Sequence, residues 1–181
     1  MATGKKRFLQ RIRVPLGFLF IGLFLFFADP DPILFLMGVP ISVIGLLVRA
    51  WAAGHIRKNV EITISGPYAY TRNPLYLGSL LMCIGACIGA GVWWLGVIFI
   101  LVFLSIYLPV MRVEAEDLDH FFPGTFADYA ANVPLLFPRF SAWRKSEMRF
   151  DSALFLKYRE YRATVGLVFV WAVLALKMFW F

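Results

Sequence analysis

The sequence predicts an all-α integral membrane protein with about five transmembrane helices, a cytoplasmic pocket and interfacial amphipathic helices. Of its 181 residues, 61% are hydrophobic and 16% are charged, whereas soluble domains average roughly 45–50% apolar and about 25% charged residues. The apolar residues gather in long runs, and basic residues flank those runs. This composition excludes a soluble globular enzyme, a disordered chain and a nucleic-acid binder. The length predicts a single membrane domain over residues 1–181.

Five apolar runs are the predicted membrane spans. The first run is short and follows five basic residues, so a secretory signal peptide is its alternative interpretation. An acidic Asp-Pro-Asp-Pro turn follows it, however, where a signal peptide would have a cleavage site. The third and fourth runs are separated by a very short turn, which predicts a helical hairpin. The predicted spans are residues 14–28, 33–53, 75–89, 92–110 and 165–181.

The distribution of charge predicts the orientation of these spans. The N-terminal arm and the stretches 56–73 and 112–162 hold 16 of the 18 Lys and Arg residues, and Asp29 and Asp31 lie on the opposite side. Because basic loops stay in the cytoplasm, the N-terminus is predicted to be cytoplasmic and the C-terminus to be outside. The short loops favour a prokaryotic inner (cytoplasmic) membrane.

One basic residue, Arg49, lies inside the second predicted span. A charge within a span is a functional hypothesis by default. The alternative is that its side chain snorkels to the interface or forms a structural pair near the cytoplasmic end of the helix.

Small residues recur every four positions in and just after the third predicted span, which predicts close packing of helix backbones in lipid. They form two stripes, Ser79, Cys83, Cys87 and Gly91 on one face and Gly85 and Gly89 on another. A glycine-rich nucleotide loop is the alternative, but the sequence predicts no strand before these glycines. The spacing of His, Cys and carboxylate residues fits no metal site, so we expect no metal.

The first predicted cytoplasmic segment, residues 56–74, has a short β-like alternation, a Gly-Pro turn and an Arg-Asn-Pro sequence directly before a membrane helix. Pro74 suits the first helical turn, and Asn73 suits the N-cap. The N-terminus of a helix also binds carboxylates and phosphates. Capping explains Asn73 and Pro74 alone, but it leaves several neighbours unexplained. These neighbours are Arg72, Tyr68, Tyr70 and Tyr76.

The second predicted cytoplasmic segment, residues 112–138, begins where the fourth span leaves the bilayer. Glu114, Leu118 and Phe121 fall near one helical face, which predicts an interfacial amphipathic helix. Four acidic residues within six positions are also what a solvated helix face would carry. The basic and aromatic stretch 139–162 is predicted to lie along the anionic inner leaflet, so membrane lipids are expected partners.

Two sequence blocks with a membrane hairpin between them resemble a known family. The first block is Gly-Pro-Tyr-x-x-x-Arg-Asn-Pro-x-Tyr-x-Gly, and the second contains Glu-x-x-x-Leu-x-His-Phe-Phe and Tyr-x-x-x-Val-Pro. The pattern covers about residues 45–138 and resembles the isoprenylcysteine carboxyl methyltransferase and phospholipid methyltransferase group of integral membrane enzymes. The resemblance implies a methyltransferase that binds S-adenosyl-L-methionine in a cytoplasmic cofactor pocket over the membrane helices.

The resemblance also implies roles for particular residues. Glu114 is expected to hold the amino group of the cofactor. The family arginine that faces the acceptor corresponds to Val110 here, and Arg112 is the candidate to replace it. Arg112 and Glu116 are the predicted catalytic residues, and Glu116, like His120, is a candidate base for an amine acceptor. The predicted cofactor-binding residues are Val60, Glu61, Ile62, Thr63, Tyr68, Arg72, Asn73, Pro74, Leu75, Tyr76 and Glu114.

The predicted function is therefore S-adenosylmethionine-dependent methyl transfer to a lipophilic acceptor from the bilayer, such as a prenylcysteine-like carboxylate. A carboxylate is already nucleophilic and needs no general base. Three alternatives stay open: a phospholipid amine N-methyltransferase, an NADPH-dependent membrane reductase of the sterol type, and a non-catalytic membrane helix-bundle factor. Cofactor binding distinguishes the methyltransferases from the other two.

Overall fold

The computed structural model describes residues 15, 17, 19–57, 61–144 and 148–180. Over these residues the secondary structure is helical, as predicted: seven α-helices and one short 3₁₀ helix, with no strand. The α-helices are α1 (residues 19–27), α2 (Pro32–Ala53), α3 (Pro74–Gly89), α4 (Trp93–Phe121), α5 (Thr125–Asn132), α6 (Ser152–Lys157) and α7 (Tyr161–Trp180). The 3₁₀ helix is Gly66–Ala69.

Among the described helices, α2, α4 and α7 are long and apolar enough to cross a membrane. Helix α3 is apolar but has 16 residues, or about 24 Å, which is shorter than the roughly 30 Å hydrocarbon core. The first predicted span, residues 14–28, lies partly outside the described residues. Three of the five predicted spans therefore meet the length criterion, and the other two stay predictions.

Helix α4 is longer than predicted. It has 29 residues, or about 43 Å, and it continues without a break past the predicted end of the span at residue 110. The interfacial helix predicted to begin at residue 112 is thus the last part of α4. The continuation is possible because Pro109, inside the helix, is tolerated in membrane helices when neighbouring groups satisfy the backbone.

Helices α2 and α3 pack backbone to backbone, as the small-residue stripes predict. A Cβ atom added at Gly45 would lie 2.6 Å from the carbonyl oxygen of Gly78, and one added at Gly78 would lie 2.6 Å from the carbonyl oxygen of Gly45. Two turns earlier along α2, a Cβ atom added at Gly38 would likewise clash with the carbonyl oxygen of Gly85. Such close approach maximises van der Waals contact between helices in lipid. It fixes the start of α3 against the end of α2.

The predicted hairpin joins α3 to α4 through three residues, 90–92. Gly91 has φ +71°, a left-handed conformation that glycine adopts at little cost. The amide of Asp29 donates to the carbonyl oxygen of Ala90 at 2.8 Å, which ties the turn between α1 and α2 to this hairpin. Cys87 faces Gly96 across the hairpin, as a small packing residue.

Helix α7 packs against the end of α3 and the end of α1. The Trp171 ring covers Gly89 of α3. The ammonium group of Lys177 donates to the carbonyl oxygens of Leu25 and Ala28, at 3.1 and 2.6 Å, at the end of α1. A cation at a helix C-terminus satisfies carbonyls that have no partner within the helix.

Candidate functional site

A cavity of about 620 Å³ lies where α3 begins and α4 ends. Its walls come from the last turns of α2, residues 56–57 and 61–63, the 3₁₀ helix, the first turns of α3, and α4 from Phe103 to Phe121. Tyr129 of α5 completes the lining. Segments distant in sequence therefore meet around one space.

The structure brings ten of the eleven predicted cofactor-binding residues to this cavity, and Val60 lies outside the described residues. The ten are Glu61, Ile62, Thr63, Tyr68, Arg72, Asn73, Pro74, Leu75, Tyr76 and Glu114. Their convergence follows from the α3–α4 hairpin, which returns the chain to the start of α3. Their binding of a cofactor stays a prediction.

The turn before α3 is held by contacts that the sequence did not indicate. Asn73 precedes the helix, but its side chain makes no capping hydrogen bond. The predicted side-chain cap is wrong, because the Asn73 amide donates instead to the carbonyl oxygen of Leu135 at 2.9 Å. Thr71 donates to the carbonyl oxygen of Leu136 at 2.8 Å. The chain after α5 thus positions this turn.

The same covering chain fixes the 3₁₀ helix that carries Tyr68. The hydroxyl of Tyr129 donates to the Tyr68 carbonyl oxygen at 2.8 Å, and the amide of Trp143 donates to the carbonyl oxygen of Ala69 at 3.0 Å. Burial raises the pKa of Tyr129, so this hydroxyl keeps its proton. Helix α5 also packs against Ile62 of the cavity wall.

Two polar groups of the cavity lining have no hydrogen-bond partner in the part of the chain that the structure describes. These are the Tyr68 hydroxyl and the Nε atom of Arg72, and both are buried. Tyr68 as a whole is 7% exposed. Burial raises the pKa of Tyr68 and lowers that of Arg72. Because buried polar groups are almost always hydrogen-bonded, this pair of donors suits a ligand with acceptor atoms.

The cavity lining also contains three carboxylates, on Glu61, Glu114 and Asp117. The hydroxyl of Tyr76 donates to Oε1 of Glu114 at 3.2 Å, and Asp117 lies one turn further along α4. Glu61 forms a half-exposed ion pair with Arg57 at 3.5 Å. The cavity therefore offers both anionic and cationic groups, a combination suited to a zwitterionic ligand.

The structure does not bring the two predicted catalytic residues to the cavity. Arg112 and Glu116 are exposed on α4 and are absent from the cavity lining. Glu114 lies between them and faces the cavity, because two residues along an α-helix turn the side chain by about 200°. The predicted catalytic role of Arg112 and Glu116 gains no support from this placement and stays a prediction.

Sequence reasoning missed part of the lining. The missed residues that α4 contributes are Phe103, Tyr107, Asp117, Leu118 and Phe121. With Glu114 they lie at helical spacing on one face, so extending the face of Glu114 in both directions would have found them. Arg49 of α2 also lines the cavity. The sequence indicated this residue only because a charge inside a membrane span is energetically costly.

A second, apolar cavity of about 180 Å³ lies between α1 and α4. Its lining shares two residues, Phe103 and Tyr107, with the first cavity. Their rings stack with centroids 4.4 Å apart. These two rings therefore lie between the two cavities. The first cavity, which charged side chains line, is called the polar cavity below, and the second is called the apolar cavity.

Neither histidine lines this cavity. His55 is 5% exposed and its Nδ1 lies 3.0 Å from Oγ of Ser65; burial lowers its pKa. His120 is exposed near the end of α4. Among the described residues, no group of three or more His, Cys, Asp and Glu side chains could hold a metal ion.

Comparison with known proteins gives one family and two relatives. The profile of the phospholipid methyltransferase family matches residues 33–124, about half of the chain. The chain is 39% identical over 113 residues to the cobalt-zinc-cadmium resistance protein CzcN of Cupriavidus metallidurans. It is 35% identical over 111 residues to the nickel-cobalt-cadmium resistance protein NccN of Alcaligenes xylosoxydans xylosoxydans. Each match covers 60% of this chain, which spans about half the length of these curated relatives. No solved structure matches the chain significantly.

Proposed function

The chain belongs to the phospholipid methyltransferase family, and on that premise we propose that it is an S-adenosylmethionine-dependent methyltransferase acting on a lipophilic acceptor. One observation carries the proposal. Ten residues predicted to bind the cofactor line one cavity, and two buried donors in that cavity, on Tyr68 and Arg72, have no partner among the described residues.

The cavity residues fit this cofactor in size and chemistry. The volume of about 620 Å³ falls within the roughly 300–1,000 Å³ typical of small-molecule sites. The cofactor carries an amino group, a carboxylate, an adenine ring and a positive sulfonium. Glu114 and Asp117 would hold its cationic groups, and Tyr68 and Arg72 would donate to its oxygen or ring nitrogen atoms.

The bound cofactor supplies an electrophilic methyl group, and the chain has to orient the reactants and exclude water. Tyr68, Arg72 and Glu114 would orient the ligand through hydrogen bonds and charge. The rings of Tyr76, Phe103 and Tyr107 limit the entry of water. None of these tasks requires a titrating base when the acceptor is a carboxylate, and we therefore propose a prenylcysteine-like carboxylate as the acceptor. A phospholipid amine, whose proton must first be removed, is the alternative.

The acceptor reaches the site from the lipid in this proposal. The apolar cavity between α1 and α4 adjoins the polar cavity at Phe103 and Tyr107. A prenyl or acyl chain in the apolar cavity would place its polar end next to these two rings. The proposal includes an inner-membrane location with the polar cavity and the N-terminus in the cytoplasm, supported by the distribution of basic residues.

The test is transfer of labelled methyl groups by the detergent-purified protein. A prenylcysteine carboxylate and a phosphatidylethanolamine are offered as acceptors. Base-labile label on the first supports the proposed acceptor, because methyl esters hydrolyse in base, whereas base-stable label on the second supports the amine alternative. Binding of NADPH without binding of S-adenosylhomocysteine would instead support a reductase. A folded protein that binds neither ligand would fit a non-catalytic helix-bundle factor.

A further inference from the structure

Arg49 brings a positive charge to the wall of the polar cavity. It lies in the last turns of α2, and the residue contributes to the cavity lining. The stem of the side chain passes over Gly78, where an added Cβ would lie 2.5 Å from Arg49 Cγ. The close packing of α2 and α3 therefore fixes where this charge lies.

Five hydrogen bonds hold the guanidinium group. Its Nη1 atom donates to the carbonyl oxygen of Leu75, at 3.1 Å, and to Oγ of Ser79. Its Nε and Nη2 atoms donate to the carboxylate of Glu160 at 2.7–3.1 Å. This two-pronged arginine–carboxylate geometry is the strong, directional kind. The side chains of Arg49 and Glu160 are 21% and 14% exposed, respectively, so solvent screens the pair only in part.

Glu160 approaches from outside the cavity. It immediately precedes α7, follows Arg159, which has φ +56°, and is absent from the cavity lining. Its carboxylate thus balances the charge of Arg49 without occupying ligand space. Both charges act on Tyr68 in the cavity lining. Burial and Tyr129 are the main causes that raise the pKa of Tyr68. Glu160 raises this pKa further, and Arg49 lowers it.

We infer that Glu160 neutralises Arg49 so that the cavity accepts the positive sulfonium of S-adenosylmethionine, which makes the two residues an electrostatic positioning pair. The inference rests on the proposed function. With Glu160 neutral, Arg49 would repel the sulfonium. Coulomb repulsion between partly screened unit charges is on the order of 1 kcal/mol, which corresponds to about a fivefold loss of affinity. S-adenosylhomocysteine has a neutral thioether at that position and would escape this repulsion.

The comparison of these two ligands separates electrostatics from structure. Loss of structure weakens both ligands alike, whereas an unbalanced charge changes the ratio of their dissociation constants. Glu160→Gln is the central variant, because glutamine keeps the shape of the side chain and one oxygen that accepts from Arg49. Arg49→Gln leaves the opposite charge unbalanced, and the double variant removes both charges. Asp128→Asn is the matched control, since it breaks the exposed Arg144–Asp128 pair outside the cavity lining.

The experiment is calorimetric titration of each detergent-purified variant with both ligands, together with its thermal unfolding. We expect the ratio of the S-adenosylmethionine Kd to the S-adenosylhomocysteine Kd to rise about fivefold in Glu160→Gln. It should fall in Arg49→Gln, return to within twofold of the wild type in the double variant, and stay unchanged in Asp128→Asn. If Glu160→Gln does not fold, Arg49→Gln and the double variant give the same comparison.

Two outcomes would overturn the inference, and they differ from each other. A ratio that stays constant in all folded variants, even as both constants rise, would reduce the pair to a structural contact and leave the proposed function standing. A folded wild-type protein that binds neither ligand would overturn the proposed function and the inference with it.

Discussion

The hydroxyl of Tyr76, in the first turn of α3, lies 3.2 Å from Oε1 of Glu114 on α4. This hydrogen bond joins the two sequence blocks that resemble the methyltransferase family, across 38 positions of the chain. It orients the carboxylate that the proposal assigns to the amino group of the cofactor. The positions of both side chains depend on the α3–α4 hairpin, so the fold and the site are linked at this contact.

The first prediction concerns this hydrogen bond. Tyr76→Phe removes a donor to a carboxylate, an interaction worth about 1.5–3 kcal/mol when it is lost. Because the Glu114 carboxylate is then no longer held in place, we expect several-fold weaker binding of S-adenosylhomocysteine, and the lost hydrogen bond should also lower the unfolding temperature. Tyr70→Phe is the control, because Tyr70 lies shortly before α3 but does not line the cavity. Equal affinities in the two variants would contradict the role given to Tyr76.

The second prediction concerns the contact between α2 and α3. Gly45→Ala places a methyl group 2.6 Å from the carbonyl oxygen of Gly78, which forces the helices apart. Overpacking of this kind costs about 1–3 kcal/mol, so we expect a clearly lower unfolding temperature in detergent. Gly166→Ala on α7 meets nothing within 4 Å and should not lower that temperature, because alanine favours a helix more than glycine does. Equal stability of the two variants would show that the helices do not pack this closely.

The third prediction separates acceptor binding from cofactor binding. Ile98 lines the apolar cavity and does not line the polar one. Ile98→Trp fills space proposed for the acceptor chain, so we expect the KM of a prenylcysteine carboxylate to rise about tenfold or more, since burial of the chain contributes about 0.8 kcal/mol per CH₂. The Kd of S-adenosylhomocysteine should stay within twofold. Val43→Trp, on the exposed face of α2, is the control, and a matching rise in KM there would argue against the apolar cavity.

The fourth prediction is a pH dependence of stability. Burial lowers the pKa of His55 in the folded state, below its ordinary value of about 6.5. The unfolded state therefore binds the proton more readily, and stability present above pH 6.5 is lost as the pH falls through the folded-state value. Unfolding temperatures between pH 8 and 5 should fall less in His55→Gln than in the wild type. Parallel curves for His55→Gln and the wild type would rule out this source of pH dependence.

Local patterns predicted those features that depend on short-range regularities. The spacing of Gly85 and Gly89 predicted close helix packing, and the short turn after Gly89 predicted the hairpin. The family resemblance predicted the residues that converge on the polar cavity. Periodicity alone would also have added Phe103 and Tyr107, had the face of Glu114 been followed back along α4.

Contacts between residues that lie far apart in the chain could not be predicted from local sequence patterns. Arg49 and Glu160 are 111 positions apart, and no regular spacing connects them. Asn73 was expected to cap α3, but its amide contacts the carbonyl oxygen of Leu135, 62 positions later. A local rule identifies a good cap, and it cannot anticipate a competing acceptor brought in by tertiary packing.

The central claim is that the polar cavity binds S-adenosylmethionine through Glu114. The most direct measurement is calorimetric titration of the detergent-purified protein with S-adenosylhomocysteine, for the wild type, Glu114→Ala and the control Asp119→Ala, which changes an exposed residue of α4 outside the cavity lining. We expect micromolar binding by the wild type and by Asp119→Ala, and a loss of about tenfold or more in Glu114→Ala. Unchanged affinity in a folded Glu114→Ala protein, or no binding by the folded wild type, would contradict the central claim.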